Sequence, residues 1–263
     1  MKQDKIMNKK NNLKILVTND DGIDASGIKL LAAAAQKFGT VYAVAPEHQC
    51  SGMSQKLTIT ESMVVKEKPD FPVLGVKAWS VSGTPADCVK TAVLNILDVK
   101  PDIVFSGINY GFNAGYDIAY SGTVGAALEA LLNGIPAIAF SNGIPADGSV
   151  LSGRGFGSGI IEEKITGIIE ELFDLEIEPY AFWNVNFPAC SRSELRGILR
   201  DRKIAKLHPY QDNLVEETGP DGSRTITVRD YMVENRDLDE TTDIWALLNN
   251  YISIGKVYNA VMI

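Results

Sequence analysis

Between residues 13 and 140 the chain alternates short apolar segments with longer helix-like segments. The strand-like segments are residues 13–18, 40–45, 102–106 and 135–140, and the helix-like segments are residues 26–38, 85 to about 97 and 123–132. Residues 57–68 and 73–82 are typical of a hairpin beside the main sheet. This alternation predicts an α/β fold, in which helices cover both faces of a mostly parallel sheet.

The second half of the chain is less regular. A Gly- and Ser-rich loop at residues 141–159 precedes a predicted helix at 160–173 and a strand at 181–187. Shorter strand-like segments, expected to form hairpins or an extended arm, are residues 207–210, 225–228 and 251–254, and the charged stretch 229–242 is expected to be exposed. We therefore divide the chain into a disordered N-terminal extension (1–12), an α/β core (13–190) and a C-terminal extension (191–263).

Two adjacent carboxylates, Asp20 and Asp21, directly follow the first predicted strand. Open α/β sheets bind their ligands at this end of the strands. Carboxylate oxygens suit Mg²⁺, Mn²⁺ or Ca²⁺. The alternative is that an aspartate caps the next helix, which is common. Because one aspartate is enough for a cap, the second one indicates a metal site.

Other strand-end loops carry further polar residues. One loop runs from Pro46 to Gly52 after the second strand, and another spans residues 107–117 after strand 102–106. Loops of neighbouring strands meet over the same edge of a doubly wound sheet. We therefore expect an all-oxygen ligand set, completed by water to roughly six positions, from Asp20, Asp21, Ser51 and Asn109.

The sequence Ser121-Gly122-Thr123 begins a predicted helix. Free N–H groups and the helix dipole favour an anion at such a position, and glycine lets it approach the backbone. Alternatively, these residues cap the helix and pack it closely on the sheet. Beside a metal site the anion interpretation is favoured, and a metal with an anion pocket indicates phosphate chemistry.

Composition limits the partners and the compartment. Lys and Arg number 25 against 33 Asp and Glu, which gives a formal charge of −8 and a pI near 4.9. This charge disfavours a nucleic-acid duplex or an anionic membrane as partner. The three widely spaced cysteines favour a reducing compartment. The polar N-terminus lacks the apolar region of a secretory signal, and no segment reaches the length of a membrane span, so we expect a cytoplasmic protein.

Several long motifs together resemble the SurE family of survival-protein nucleotidases, over about residues 13–190; they are ILVTNDDGIDASGI, APEHQCSG, SGINYGFNAGYDIAYSGTVGAALEA and NVNFP. The resemblance implies a Rossmann-like three-layer core and a C-terminal extension exchanged between subunits of a homodimer or homotetramer. It also implies a divalent-metal-dependent 5′/3′-nucleotidase, with possible activity on other phosphate esters and polyphosphate. The family's metal ligands correspond to Asp20, Asp21, Ser51 and Asn109. The chain departs from the family pattern after residue 254, where Gly255-Lys256-Val257-Tyr258 and an apolar tail follow.

The hypothetical mechanism is in-line attack of a metal-activated water on a nucleoside monophosphate, with Mg²⁺ or Mn²⁺ as cofactor and Ca²⁺ able to occupy the site. Asp20 and Asp21 are the expected catalytic residues, and one of them accepts the proton of the water. The expected phosphate contacts are Gly52, Asn113, Ser121, Gly122 and Thr123. Two alternatives stay open: a covalent phosphoryl intermediate on Asp20, and a nucleotide-binding module without catalysis.

Other motifs are weaker. The spacing Cys190-x₅-Arg196 matches cysteine phosphatases, but Glu194 lies inside it and would repel a phosphate. The glycine-rich residues 153–159 follow no strand directly and are interpreted as a surface loop or a lid that carries Arg154. His48 is interpreted as an exposed loop residue, and His208 has no partner in any motif.

Overall fold

A computed structural model describes residues 12–144, 159–232 and 238–262, with the backbone alone at 210–213 and 228–232. Residues 1–11 of the predicted N-terminal extension lie outside the described residues, as do Arg154 and most of the predicted loop 141–159.

The strands are β1 Leu13–Thr18, β2 Gly39–Pro46, β3 Val65–Glu67, β4 Lys77–Val81, β5 Ile103–Tyr110, β6 Ala137–Asn142, β7 Ala181–Phe187, β8 Gly197–Leu199, β9 Tyr210–Thr218, β10 Arg224–Met232 and β11 Tyr251–Tyr258. The helices are α1 Ser26–Ala35, α2 Pro85–Thr91, α3 Gly122–Leu132, α4 Ile160–Phe173 and α5 Asp243–Leu248. A short 3₁₀ turn, Gln36–Phe38, extends α1, a π turn, Ala92–Ile96, extends α2, and a further 3₁₀ turn spans Gly115–Ala119. Both extensions end within a residue or so of the helix ends predicted from sequence.

The main sheet has the strand order β3-β4-β2-β1-β5-β6-β7-β11-β8. Its strands from β4 to β7 are parallel and follow the Rossmann order, with β1 at the point where the strand order reverses. The predicted α/β class and mostly parallel sheet are therefore confirmed. The predicted hairpin of residues 57–82 is present as β3 and β4, but it forms the edge of the main sheet rather than a separate unit.

The C-terminal region divides between two sheets. Strands β9 and β10 pair antiparallel as a separate hairpin, which confirms that a C-terminal hairpin is present. The prediction that residues 251–254 belong to a hairpin or arm is wrong, because they begin β11, which pairs antiparallel with β7 in the main sheet. Apolar and polar residues alternate in only part of β11. Its sequence pattern therefore does not distinguish a strand of the main sheet from an extended arm.

The core lies on both faces of the sheet, which gives three layers. Leu13, Ile15 and Val17 of β1 point into a cluster with α1 and α4, whereas Leu16 points into a cluster with α2 and α3. This explains the apolar run of residues 15–17 in β1, because a parallel strand covered on both faces needs apolar side chains in both directions. A third, smaller apolar cluster lies between the loop after β5 and α5.

Two further features bear on the environment of the protein. The three cysteines, Cys50, Cys88 and Cys190, are free thiols. Among the described residues, no helix is both long and apolar enough to span a bilayer.

Candidate active site

The first polar loop follows β1 at the position where ligands bind in doubly wound sheets. Strand β1 pairs with β2 on one side and with β5 on the other, and the loops after all three strands therefore meet at one edge of the sheet. Asn19 makes this loop compact, because its side chain donates to the Gly22 carbonyl at 2.9 Å and accepts from the Gly22 amide at 3.2 Å. The structure thus brings together the three loops that the sequence analysis singled out.

Asp20 is buried and is held by two other segments. Its carbonyl accepts the amide of Cys50 at 2.7 Å, which ties the loop after β2 to the loop after β1. Its carboxylate accepts the hydroxyl of Thr123 at 2.6 Å. Burial raises the pKa of Asp20, while hydrogen bonds from Thr123 and from the amides of Thr123 and Gly122 act in the opposite direction. Gly122 is required here, because a Cβ at this position would lie 2.9 Å from the Asp20 Cβ.

Asp21 is more accessible than its neighbour. Its Oδ2 accepts the Tyr110 amide at 3.0 Å, so the end of β5 is also joined to the loop after β1. Burial, together with the adjacent charge of Asp20, raises the pKa of Asp21 to about 7. The two neighbouring carboxylates repel each other when both are charged, which raises the pKa. A cation bound between them would instead lower both pKa values.

A bulge brings Asn109 to the same edge. The pairing of β5 with β6 shifts register between Ser106 and Asn109. Gly107 lies in the bulge with φ of 135°, and a Cβ there would be 2.2 Å from the Phe140 carbonyl oxygen, so only glycine fits. The buried Asn109 side chain donates to the Gly111 carbonyl at 2.9 Å, which leaves its amide oxygen as the candidate ligand atom.

Ser51 and Gly52 lie on the exposed side of the site. Ser51 follows Cys50, whose amide is bonded to Asp20, and its hydroxyl accepts the Gln49 side chain at 3.0 Å. Gly52 has a φ of 71° and open space around its Cα. Both residues are therefore accessible beside Asp20, and their roles as metal ligand and phosphate contact stay predictions.

Asn113 is fixed by a buried network of amide groups. Its amide donates to Asn186 Oδ1 at 2.9 Å, and its carbonyl accepts Asn184 Nδ2 at 2.8 Å and Asn186 Nδ2 at 3.1 Å. The Asn113 side chain donates to the Ser141 hydroxyl at 2.8 Å. The NVNFP sequence of β7 therefore holds the loop that carries Asn113.

The start of α3 serves the carboxylates as well as the helix. The Ser121 hydroxyl caps α3 by accepting the Val124 amide at 3.1 Å. Thr123 is fully buried, and its side chain is bonded to Asp20. The phosphate contacts expected of Ser121, Gly122 and Thr123 stay predictions, and the role that the hydrogen bonds show for Thr123 is to orient Asp20.

The chemistry of these residues fits a hard divalent cation. Within 12–144, 159–232 and 238–262, neither Asp20 nor Asp21 forms an ion pair, and no cation contributes to the pKa of either. One buried and one partly buried carboxylate side by side, without a counter-charge, are costly unless a cation neutralises them. The same part of the chain contains no group of three or more His, Cys, Asp or Glu residues able to hold a metal. The ligand set of two carboxylates, one hydroxyl and one amide stays a prediction.

A cluster of residues beside this site was not predicted from the sequence. The interpretation that His208 has no partner is wrong, because its Nδ1 lies 2.6 Å from Asp117 Oδ1 in the loop after β5. The rings of Tyr116 and Tyr120 lie 5.4 and 6.0 Å from the His208 ring. These contacts join residues about 90 positions apart in the chain, so local sequence patterns do not indicate them. The only local indication was the position of Tyr120, directly before Ser121 at the start of α3.

The motifs that were set aside have structural roles. In the Cys190-x₅-Arg196 segment, the Glu194 carboxylate accepts the amide and the hydroxyl of Ser191 at 2.9 and 2.7 Å. A phosphate would need those same donors, so the segment is not a phosphate cradle. His48 is exposed on its loop.

The fold and the acidic loop define the class: a Rossmann-like α/β protein with paired carboxylates at the switch point of its sheet. The family model described as Survival protein SurE matches residues 15–208. The chain therefore belongs to the SurE family, which confirms the resemblance seen in its motifs.

Individual relatives match nearly the whole chain. The 5′-nucleotidase SurE of Clostridium botulinum (strain Loch Maree / Type A3) is 35% identical over 250 residues, which cover 94% of this chain and 93% of the relative. The 5′-nucleotidase SurE of Cytophaga hutchinsonii is 39% identical over 244 residues, covering 91% and 88% of the two chains. The crystal structure of SurE from Aquifex aeolicus superposes with a TM-score of 0.75 at 34% identity and covers 93% of each chain.

Proposed function

We propose that this protein is a divalent-metal-dependent phosphatase that hydrolyses nucleoside 5′- and 3′-monophosphates to nucleoside and phosphate. The observation that carries the proposal is the pair of carboxylates, Asp20 and Asp21, at the switch point of the sheet with no cationic partner among the described residues. The curated relatives are named 5′-nucleotidase, which confirms the enzyme class expected from the sequence.

The residues that hold the cation in this proposal are Asp20, Asp21, Ser51 and Asn109. When bound, Mg²⁺ or Mn²⁺ supplies charge neutralisation at the phosphoryl group and a water of lowered pKa. Such an all-oxygen set accepts either ion, and Ca²⁺ as well.

The chain's own residues orient the reactants. Thr123 and the Tyr110 amide each fix one carboxylate, so both aspartates are preorganised before substrate binds. The asparagines of β7 fix the backbone of Asn113, and in this proposal its side-chain amide is a donor for a phosphoryl oxygen. Gly52 and the start of α3 complete the phosphate contacts in this proposal, because N–H groups at a helix start favour an anion.

A covalent intermediate on Asp20 is less well supported. Asp20 is 3% exposed, and donors from Thr123 and Gly122 engage its carboxylate. A nucleophile needs a free oxygen directed at the substrate. Mass analysis after incubation with beryllium fluoride tests this rival, because a stable adduct on the peptide that contains Asp20 would support it.

Phosphate release tests the main proposal. The screen covers nucleoside 5′- and 3′-monophosphates, sugar phosphates and polyphosphate, with and without EDTA. We expect Asp20→Asn and Asp21→Asn to lower kcat at least about 1,000-fold, since each removes a charge that acts on the developing transition state. Asp24→Asn is the matched control, because Asp24 lies in the same loop but is exposed and paired with Lys68. Activity retained in both variants, or in EDTA, would contradict the proposal.

We also propose that the hairpin of β9 and β10 joins subunits into a homodimer or homotetramer. The hairpin is separate from the main sheet and exposes Leu214 and Ile226, which are apolar. Exposed apolar side chains on a hairpin outside the main sheet are typical of an interface. Light scattering tests the mass of the wild type and of Leu214→Ser, and a wild type that is monomeric at high concentration would exclude this interface.

A further inference from the structure

Three aromatic rings form an exposed cluster beside the carboxylates. Tyr116 and Tyr120 are 47% and 58% exposed, and the His208 side chain is 45% exposed. The Tyr120 and His208 rings are nearly parallel, with an interplanar angle of 19°, whereas Tyr116 meets His208 edge-on at 68°. We call Tyr116, Tyr120 and His208 the aromatic cluster.

The cluster is held rigidly although it contributes little to the core. Asp117 fixes the His208 ring through Nδ1, and the Tyr116 amide donates to the Leu207 carbonyl at 2.9 Å. The third core cluster, against which the neighbouring Leu207 packs, contains none of these three rings. Ordered aromatic rings that stay exposed are unusual in a monomer surface unless they bind something.

Its position relates the cluster to the phosphate end of the site. Tyr120 is bonded directly to Ser121, so their Cα atoms are about 3.8 Å apart. The next residue, Gly122, lies against Asp20. The Tyr120 carbonyl also accepts the Ser54 amide at 2.8 Å, which ties it to the loop after β2. A ligand whose phosphate lies at Ser121 and the carboxylates would therefore have its next moiety within reach of the exposed Tyr120 ring.

We propose that the aromatic cluster is the surface on which the base of a nucleoside monophosphate stacks while the phosphate lies at Ser121, Asp20 and Asp21. The inference rests on the proposed function and assigns the nucleoside part of the substrate to these residues. Stacking accepts any base, because every base has a π face. The site therefore selects nucleotides over sugar phosphates without selecting one base strongly.

Substrate comparison tests the inference. We expect Tyr120→Ala to lower the ratio of kcat/KM for AMP to that for ribose 5-phosphate about tenfold, because base stacking on an aromatic side chain is commonly worth that much. Tyr120→Phe keeps the ring face and should keep the ratio within about twofold of wild type. His208→Ala should lower the ratio about threefold, since it removes the ring that supports Tyr120. Tyr258→Ala is the control, because Tyr258 is also exposed and in contact with another ring, that of Tyr180. It pairs with the first residue of β7 and therefore lies at the edge of the sheet opposite the carboxylates.

A second measurement does not need turnover. Saturation-transfer NMR of adenosine with the EDTA-treated protein should show contact to the base protons in the wild type and in Tyr120→Phe, and its loss in Tyr120→Ala. If phosphate esters are hydrolysed but Tyr120→Ala changes AMP and ribose 5-phosphate equally, the base-stacking role is wrong and the proposed function stands. If no phosphate ester is hydrolysed yet adenosine binds in a Tyr120-dependent way, the proposed function fails and the stacking surface stands.

Discussion

At the scale of single residues, the function of the site depends on how its carboxylates are held. Thr123 shows this most clearly, because its sequence position at a helix start indicates an anion contact while its side chain is buried against Asp20. Such a hydrogen bond fixes the orientation of a ligand and the charge that it carries. Thr123 is therefore expected to act on metal binding through Asp20.

We predict that Thr123→Val weakens metal affinity about 10- to 100-fold, the usual effect of removing a partner that orients a metal ligand. Valine has nearly the same volume, so the core around α3 stays filled. The measurement is a Mg²⁺ or Mn²⁺ titration followed by calorimetry. Thr91→Val, a buried threonine of α2 away from the site, is the control. Equal affinities in both variants would show that the Thr123 hydroxyl does not orient a ligand.

The raised pKa of Asp21 predicts how the metal-free protein responds to pH. In the folded protein this pKa is about 7, against 3.8 for an unperturbed aspartate, so folding favours the neutral carboxyl. The resulting stability is fully present below the unfolded pKa and is lost as pH rises through about 7. In EDTA, the free energy of unfolding of the wild type should fall between about pH 4 and pH 8 by about 2–4 kcal/mol more than that of Asp21→Asn. Urea titrations at several pH values measure this difference; parallel curves for the two proteins would contradict it.

At the scale of elements, β7 supports the loop that follows β5. Asn184 and Asn186 are two positions apart, so both side chains point to one face of the strand, and there they bond to the backbone of Asn113. Side-chain amides thus replace the ladder that a neighbouring strand would provide. The loop after β5 stays irregular without leaving its buried polar groups unpaired.

We predict that Asn186→Ala destabilises the protein by about 1–3 kcal/mol, because the buried Asn113 amide loses its acceptor. The displaced Asn113 should also lower kcat/KM for AMP about 10- to 100-fold. Asn133→Ala is the control, since its side chain bonds only within α3. Urea unfolding and phosphate release measure the two effects. A loss of stability without a loss of kcat/KM would remove Asn113 from the phosphate site.

The sequence predicted the elements better than their long-range contacts. The parallel strands β1, β2, β5, β6 and β7 are largely buried and apolar, so their positions were predictable from apolar segments. The pairing of β11 with β7 joins residues about 70 positions apart, and nothing local in residues 251–258 indicates it. The contact between His208 and Asp117 was not predicted for the same reason, since the two residues are 91 positions apart. The loops of the site were predictable because strand ends meet at the switch point, whereas the bond from Thr123 to Asp20 depends on how α3 packs.

At the scale of the whole molecule, the site exists only when the sheet is assembled. The loop after β1 is joined to the loop after β2 through Cys50, to the end of β5 through Tyr110 and to α3 through Thr123. These segments are more than 100 residues apart at their extremes, from Asp20 to Thr123. The unfolded chain therefore has no comparable site, and a cation that binds here must stabilise the folded state.

We predict that Mg²⁺ or Mn²⁺ at about 100 times its dissociation constant raises the free energy of unfolding by about 2.7 kcal/mol, as expected for binding to the folded state alone. The rise should be lost in Asp20→Asn and kept in Asp24→Asn, because only the first removes a ligand. Urea unfolding with and without the cation measures it. An equal rise in Asp20→Asn would place the cation elsewhere in the molecule. Ca²⁺ accepts the same oxygen ligands, so it should raise the free energy of unfolding as well. Stabilisation by Ca²⁺ without hydrolysis would show cation binding independently of turnover.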